Sequence, residues 1–213
     1  MERERHQYGP EPIRLFRSDF LEAFTHIHLA VVPGVWGPVV TGFLAAAILR
    51  AARSGAGALA IPLGFLAGLF LWTLVEYTLH RYLFHFKPRT PRQERLSFLI
   101  HGVHHAQPLE KTRLVMPLPV SIPLALLFYA LFRLVVGLLL GRPAWVDPLF
   151  AGLVTGYIAY DLLHYSAHHF QLRGPALVFL RRHHMHHHAG SWNDRFGVSS
   201  PLWDYVFGTM PAK

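Results

Sequence analysis

The stretch AIPLGFLAGLFLWTLVEYTLHRYLFHF, residues 60–86, joins a long apolar segment to a pair of histidines, His80 and His85. A helix needs about 20 apolar residues to cross the core of a bilayer, and this stretch supplies roughly 15 to 20 before its histidines begin. Glycine and proline inside it do not exclude a membrane helix, because such helices tolerate both residues. The stretch therefore predicts a spanning helix that delivers histidines to one face of the membrane.

Three further apolar stretches have a similar character. Together with the first they predict spans at about residues 29–52, 58–86, 118–140 and 148–170. The 213-residue chain is 52% hydrophobic and 15% charged, whereas soluble domains are about 25% charged. This composition excludes a disordered chain and disfavours the alternative, a soluble all-α protein with buried helices. We expect an all-α integral membrane protein with a cytoplasmic or interfacial N-terminal segment, residues 1–28, and one membrane domain, residues 29–213.

Membrane topology accounts for the net charge of +8. Basic residues concentrate in the N-terminal segment, in the loop between the second and third spans, and in the C-terminal region. The positive-inside rule assigns such segments to the cytoplasm. We therefore expect both termini and the histidine-rich face to be cytoplasmic, and we expect no nucleic-acid partner. The first 28 residues are polar and predict no cleavable signal peptide.

Histidine is the outlier of the composition, because 16 histidines stand against 12 acidic residues and cysteine is absent. The absence of cysteine excludes disulfides, Cys-ligated zinc, iron–sulfur clusters and a thiol nucleophile. Thirteen histidines fall into four clusters, HRYLFH (80–85), HGVHH (101–105), HYSAHH (164–169) and HHMHHH (183–188). All four clusters are predicted on the same membrane face.

The spacing within the clusters favours metal binding. Residues i, i+3 and i+4 of a helix project from one face, which is the spacing of His101, His104 and His105. His80 and His85 are five residues apart, about 140° around a regular helix. They converge only if the helix end unwinds or if they approach a metal from different sides. Ten imidazoles are too many for one ion, so we expect a dinuclear metal site with four or five ligands per ion in a cytoplasmic, histidine-rich helical cap.

The histidine boxes resemble those of the fatty acid hydroxylase/sterol desaturase superfamily of membrane di-iron enzymes. The segments HGVHHAQPLEKTRLVMPLP (101–119) and HHMHHHAGSWNDRFGVSSPLWDYVFGT (183–209) are most similar to the branch of fatty acid 2-hydroxylases. The last box admits two registers, and the interval to the following FGV favours the one that ends at His188 over the one that ends at His187. The ligands that the resemblance implies are His80, His85, His101, His104, His105, His164, His168, His184, His187 and His188.

The resemblance also implies an activity. The expected enzyme is an O2-dependent di-iron monooxygenase that hydroxylates a membrane lipid at C2 of its acyl chain. Its cofactors would be two iron ions, which zinc can replace in purified samples. No haem-binding HPGG motif is present, so electrons are expected from a separate cytochrome b5-, ferredoxin- or reductase-like protein. The expected location is the inner membrane of a bacterium or the endoplasmic reticulum of a eukaryote.

Two acidic residues lie one helical turn before a histidine of a box, Glu76 before His80 and Asp161 before His164. Carboxylates near metal-bound imidazoles orient the rings and offset the positive charge, so both are candidates for this role. A helix-polarity or packing role is the alternative. Further candidates are Tyr160, Tyr165, Trp192 and Trp203 at a substrate entrance, Arg113 as partner of a carboxylate or phosphate, and Asn193, Asp194 and Asp204 as loop contacts; His169, His183 and His186 would surround the ligands.

Two other functions remain open from the residues alone. A carotenoid or sterol hydroxylase or oxidase of the same superfamily would share the bare histidine boxes. A histidine-rich metal transporter or sensor would bind metal without redox chemistry. The stretches RLVMPLP and FGVSSPLWDYVFGT favour the acyl hydroxylase, and a transporter would place its ligands near the middle of the bilayer rather than at one face.

Overall fold

The structure, a computed structural model, describes residues 11–54, 57–190 and 193–211. Every regular element in these ranges is a helix. The α-helices are α1 (Asp19–Ala23), α2 (Val31–Ser54), α3 (Ala60–Thr78), α4 (Pro91–Ser97), α5 (Val103–Ala106), α6 (Leu118–Phe132), α7 (Val146–His169), α8 (Pro175–Ala189) and α9 (Leu202–Val206). Three π-helical segments, Leu79–Phe84, Phe98–Gly102 and Arg133–Leu139, extend α3, α4 and α6.

Four of these helical stretches are long and apolar enough to cross a membrane: Val31–Arg53, Ala60–Phe84, Lys111–Leu139 and Pro143–His169. The stretch around α7 lies at the centre, since 67% of its apolar window is buried, against 6% for the stretch around α6. The predicted fold class, an all-helical protein with four candidate membrane helices and a histidine-rich cluster, is confirmed.

Glycines bring α3 and α7 into close contact. A methyl group at Gly68 would lie 2.0 Å from the carbonyl oxygen of Leu149, and one at Gly152 would lie 2.0 Å from that of Phe65. Small residues permit such backbone approach between membrane helices. The contact fixes the two helices side by side, so that their histidine ends lie together.

Aromatic side chains form a layer beneath the histidines. The rings of Trp36 and Trp72 contact the ring of Tyr157 at 5.9 and 5.5 Å between centroids, and Trp72 also contacts Tyr160 at 5.8 Å. Tyr160 in turn stacks on His164 at 5.7 Å. These rings connect the apolar core between the helices directly to the histidine cluster.

The π-helical segment Leu79–Phe84 changes the direction of the histidines at the end of α3. In this segment the N–H of His85 donates to the carbonyl of His80 at 3.0 Å, which is an i to i+5 hydrogen bond. The wider turn brings residues five apart to the same side of the helix. The unwinding that the sequence required for convergence of these two histidines therefore occurs as a π-helix.

The C-terminal segment folds back against α3. The hydroxyls of Tyr77 and Thr209 lie 3.1 Å apart, and the indole N–H of Trp203 donates to the hydroxyl of Thr73 at 2.9 Å. The backbone N–H of Arg195 donates to the carbonyl of Thr209 at 3.1 Å. These contacts hold the loop at residues 194–200 over the histidine end of α3.

Candidate metal centre

Ten of the thirteen histidines in the four clusters converge in two groups of five. Within each group the five ring nitrogens that could act as ligands lie within 4.8 Å of one another. We call these groups centre A and centre B. Centre A consists of His80, His85, His101, His105 and His187, and centre B consists of His104, His164, His168, His184 and His188.

Each centre draws on three of the four clusters. The end of α3 contributes only to centre A, and the end of α7 contributes only to centre B. The clusters HGVHH and HHMHHH contribute to both, because neighbouring residues such as His104 and His105 point to different centres. The two candidate sites are therefore built by the same two short helices and by two different long ones.

The spacing of the nitrogens fits a metal ion. In centre A, the Nε2 atom of His101 lies 3.1 Å from that of His80 and 3.0 Å from that of His105. In centre B, the Nε2 atom of His104 lies 3.0 Å from those of His164 and His188. Two ligands about 2.1 Å from an ion are about 3.0 Å apart at a right angle and about 3.4 Å apart in a tetrahedron. Lone pairs this close need a proton or a cation between them.

Backbone carbonyls fix the orientation of three rings. The Nδ1–H groups of His80, His164 and His187 donate to the carbonyls of Phe196 at 2.5 Å, Leu114 at 3.0 Å and Asp194 at 2.7 Å. A histidine that donates through Nδ1 keeps the lone pair of Nε2 free for a metal. These contacts direct all three Nε2 atoms into their centres.

Burial keeps the imidazoles outside the spanning helices neutral. Loss of water and the neighbouring His187 lower the pKa of His85 to about 3, and burial together with nearby imidazoles lowers the pKa of His101 and His104 well below the usual value. Neutral imidazole is the form that binds metals. These three imidazoles are thus in the form that binds cations at neutral pH.

Glu76 acts on the centre through a loop rather than through an imidazole. Its buried carboxylate accepts hydrogen bonds from the N–H groups of Val198 at 2.5 Å and Ser199 at 2.8 Å, and from the hydroxyl of Ser199. The same loop presents the carbonyl of Phe196 to His80. Glu76 therefore fixes the loop whose carbonyl orients a ring of centre A.

Asp161 holds a loop at centre B in a similar way. Its two oxygens lie 3.4 and 3.3 Å from the backbone N–H of Met116. Two residues earlier in that loop, the carbonyl of Leu114 accepts the hydrogen bond from His164. Both candidate carboxylates thus hold a loop whose carbonyl orients a histidine, and neither shows a hydrogen bond to an imidazole of a centre in the part of the chain that the structure describes.

The last histidine cluster is divided by its helix. His184, His187 and His188, the histidines of the register that ends at His188, lie with the other histidines of centres A and B. The Nε2 of the buried His183 instead contacts Asp204 at 3.0 Å, and His186 is exposed. The ring of His169, at the end of α7, lies against that of Tyr165 at 4.6 Å between centroids.

Asp204 has a larger role in the structure than the loop contact that the sequence suggests. Its side chain is fully buried, and burial alone would raise its pKa. Hydrogen bonds from His183, Thr209 and two backbone N–H groups outweigh that effect and hold the pKa of Asp204 below its usual value. Its partners lie up to 21 residues away. A single sequence offers no spacing rule for such a contact.

An apolar cavity of about 650 Å³ reaches the histidines of both centres. His101 of centre A and His104 and His164 of centre B form part of its wall. The remaining wall is mostly aliphatic and aromatic and comes from the N-terminal segment, the π-helical segments of α3 and α4, and the start of α6. Its residues include Leu15, Phe16, Leu21, Phe24, Phe84, Leu99, Ile100, Val103, Leu114, Val115, Met116 and Tyr160.

A polar cluster ties the N-terminal wall of the cavity to the rest of the protein. The guanidinium of the buried Arg113 donates to Glu22 at 2.5 Å and to the carbonyl of Ile13, and it lies 2.9 Å from the Nε2 of His26. The hydroxyl oxygen of Thr112 also lies 2.5 Å from the Nδ1 of His26. The carboxylate expected for Arg113 is therefore one of the protein's own.

The aromatic residues proposed for the entrance are dispersed. Tyr160 lines the cavity, whereas Trp203 is not among the lining residues and its ring lies against that of Phe70 at 5.8 Å between centroids. Tyr165 packs against Phe170 at 6.0 Å. Trp192 lies outside the described residues.

The sequence of this chain is similar to those of known proteins. Residues 65–209 match the fatty acid hydroxylase family. The chain belongs to the fatty acid hydroxylase family. The predictions of this family and of an enzyme are thereby confirmed.

Several relatives and one solved structure extend the likeness beyond the family motifs. The dihydroceramide fatty acyl 2-hydroxylase FAH2 of Arabidopsis thaliana is 37% identical over 93% of this chain and 80% of its own length. The ceramide very long chain fatty acid hydroxylase scs7 of Schizosaccharomyces pombe is 38% identical over 97% of this chain and 57% of its own. A structure described as full-length scs7p, with only the hydroxylase domain visible, has a TM-score of 0.80 and 38% identity and covers 91% of this chain and 70% of that one.

Proposed function

We propose that this fatty acid hydroxylase uses O2 and two iron ions to hydroxylate C2 of a lipid acyl chain, with an N-acyl sphingolipid as the substrate class. One observation carries the proposal: two groups of five buried or half-buried histidines lie together, and histidines of both groups line one apolar cavity. The relatives named as dihydroceramide and ceramide acyl hydroxylases support the substrate class. A transporter would need no apolar cavity beside its ligands.

The donor set fits iron. Five neutral imidazoles per centre, with adjacent nitrogens about 3.0 Å apart, suit an ion with five or six ligands better than a tetrahedral one. Imidazole also binds zinc, so metal content alone does not identify the native ion. When bound, the two irons supply the oxidant: one oxygen atom of O2 enters the C–H bond, the other leaves as water, and a donor provides two electrons and two protons.

The cavity is proposed to select the carbon that reacts. The carbons of an acyl chain differ little in chemistry, so position decides which one is oxidised. The aliphatic walls would hold the chain, and the histidines that line the cavity mark the place where C2 would lie. The same walls exclude water from the reacting end.

The N-terminal segment is proposed to act as one wall of this acyl site. Leu15, Phe16, Leu21 and Phe24 face the cavity, and the cluster of Arg113, Glu22 and His26 fixes their backbone. A charged hydrogen bond of this kind contributes about 1.5–3 kcal/mol. The wall therefore keeps its place while the chain enters.

We propose that the histidine face and both termini are cytoplasmic, because the basic loops flank this face and the positive-inside rule applies to such loops. The electron donor would be a separate cytochrome b5-, ferredoxin- or reductase-like protein that approaches from the same side. A reporter fused to the C-terminus and found outside the cytoplasm would contradict this orientation.

The function is tested by mass spectrometry of the lipids from cells that express the chain or its His104→Ala variant, with iron and a reductase supplied. A gain of one oxygen at C2 of an amide-linked acyl chain, absent in the variant, is the expected result. An oxygen on a sterol or carotenoid would replace the proposed substrate. If wild type and variant gave the same lipids, a role in metal binding without redox chemistry would replace the proposed enzyme.

A further inference from the structure

The loop at residues 196–199 is held by two carboxylates. Four successive N–H groups point at them: those of Phe196 and Gly197 donate to Asp204 at 2.8 and 2.9 Å, and those of Val198 and Ser199 donate to Glu76 at 2.5 and 2.8 Å. Asp204 lies on α9 and Glu76 on α3. The loop is thus fixed from two independent elements.

Asp204 has its full set of hydrogen bonds. Besides the two backbone groups it accepts from the hydroxyl of Thr209 at 2.7 Å and from the ring of His183 at 3.0 Å. A carboxylate offers about four acceptor positions, and all are used here. A residue that is 0% exposed and fully paired is a rigid support rather than a solvated loop acid.

The backbone around Asp204 admits little movement. A methyl group at Gly197 would lie 2.0 Å from the carbonyl oxygen of Ser200 and 3.0 Å from a carboxylate oxygen of Asp204. Phe196 is held on both sides, since its N–H binds Asp204 and its carbonyl accepts from the Nδ1–H of His80 at 2.5 Å. The position of Asp204 is therefore passed on to the ring of His80 through a single residue.

His183 connects this support to a second ligand helix. It lies on α8 and binds Asp204. This helix carries histidines of both centres, but the route from Asp204 through Phe196 reaches a ring of centre A only. Asp204 consequently links α8 to the loop that orients His80. Centre B obtains the corresponding support from Asp161 and Met116 on other elements.

We propose that Asp204, together with His183, is the positioning unit of centre A, which it holds in the geometry that binds metal, and that centre B does not depend on it. The inference rests on the proposed function for its use in catalysis, but it concerns metal binding and can be measured without turnover. Loss of partners that orient a metal ligand weakens metal binding by about 10- to 100-fold. We expect that loss at one centre alone.

The test compares purified full-length protein and its Asp204→Asn variant by metal content and by stepwise removal with a chelator. Wild type should hold two ions, and the variant one ion with wild-type affinity and one released at about 10- to 100-fold lower chelator concentration. Asp19→Asn is the matched control, because it makes the same change at a carboxylate that is 92% exposed in its pair with Arg14 and belongs to neither centre. This control should behave as wild type.

Two backgrounds assign the lost ion. With His164→Ala, which removes a ligand of centre B, Asp204→Asn should leave the protein almost without tightly held metal. With His80→Ala, which removes a ligand of centre A, Asp204→Asn should cause no further loss. Equal effects in both backgrounds would overturn the assignment to centre A.

A milder variant covers the case in which Asp204→Asn does not fold. His183→Gln removes one of the four contacts and should weaken the same ion by a smaller factor. A folded Asp204→Asn or His183→Gln protein that keeps two tightly held ions would overturn the inference while the lipid hydroxylase function stands. Selective loss of one ion in a protein that hydroxylates no lipid would leave the inference standing and reject the function.

Discussion

Centres A and B are supported by the same kind of contact, made from two different helices. In each, a long helix places a carboxylate one turn before a histidine, and the carboxylate binds a backbone N–H two residues after the carbonyl that holds this histidine. At centre B the helix is regular and the loop at residues 114–116 also lines the cavity. At centre A the helix needs a π-helical turn, and the loop lies in the C-terminal segment.

The loops of the two centres differ in their relation to the cavity. The loop of centre B contacts His164 and also lines the cavity proposed for the acyl chain. The loop of centre A is held by Glu76 and Asp204 and packs against α3 instead. The loop of centre B therefore borders the cavity, whereas the loop of centre A does not.

The largest effect should come from removing one ligand, and it tests whether the centres are separable. His187→Ala should empty centre A and His188→Ala centre B, although the residues are adjacent. Each variant should hold about one ion instead of two and lose more than about 100-fold in hydroxylation rate, since ligands contribute more than their outer partners. Metal analysis and product assays provide the readout. A protein without metal in both single variants would show that the two centres form one unit.

The two carboxylates should give the next largest effect. Glu76→Gln and Asp161→Asn should each weaken metal binding at their own centre by about 10- to 100-fold. Only Asp161→Asn should also raise KM for the lipid, because only its loop lines the cavity. Steady-state kinetics with matched metal loading separate the effects. An equal rise of KM in both variants would remove the functional distinction between the centres.

The third prediction concerns the close contact between α3 and α7 at their glycines. Gly152→Ala should destabilise the protein by about 1–3 kcal/mol or more, because an added methyl group in a packed interface forces backbone shifts. Gly42→Ala on α2 is the control, since a methyl group there meets nothing within 4 Å. Thermal unfolding in detergent measures both. If Gly152→Ala unfolded at the wild-type temperature, the close approach of α3 and α7 would not be required.

The smallest effect is expected at the N-terminal wall. Glu22→Gln should raise KM by about 3- to 10-fold, because a weakened charged hydrogen bond to Arg113 costs about 1–3 kcal/mol, with both metal ions retained. Asp19→Asn is the matched control, since that carboxylate is 92% exposed in its pair with Arg14 and such pairs contribute little. Kinetics with acyl chains of different length provide the measurement. Loss of metal in Glu22→Gln would place the wall in the metal site itself.

The sequence predicts much of this arrangement because local rules suffice for it. Hydropathy locates the spans, and the i, i+3, i+4 spacing places His101, His104 and His105 on one helix face. The interval to the following FGV, as the family resemblance has it, favours the register of His184, His187 and His188, which converge in the structure. Each of these conclusions depends on residues that lie near one another in the chain.

Contacts between distant segments were not predictable in this way. The bond from Val198 to Glu76 spans 122 residues, and the bond from His80 to Phe196 spans 116. The π-helical turn at His80 and His85 depends on the same packing, because π-helices are rare and have no clear sequence pattern. The division of the ten histidines into two groups of five likewise follows from tertiary packing and not from spacing along the chain.

The sharing of two short helices between the centres has a consequence for the enzyme in its lipid surroundings. His104 and His105 on α5, like His187 and His188 on α8, are joined by a single peptide unit and serve opposite centres. Membrane helices tilt when the thickness of the bilayer changes, and α3 and α7 are exposed to such changes. Within α5 and α8 the separation between the two groups of histidines is instead limited by covalent geometry. That separation therefore depends less on the tilt of the membrane helices than the distance between α3 and α7 does.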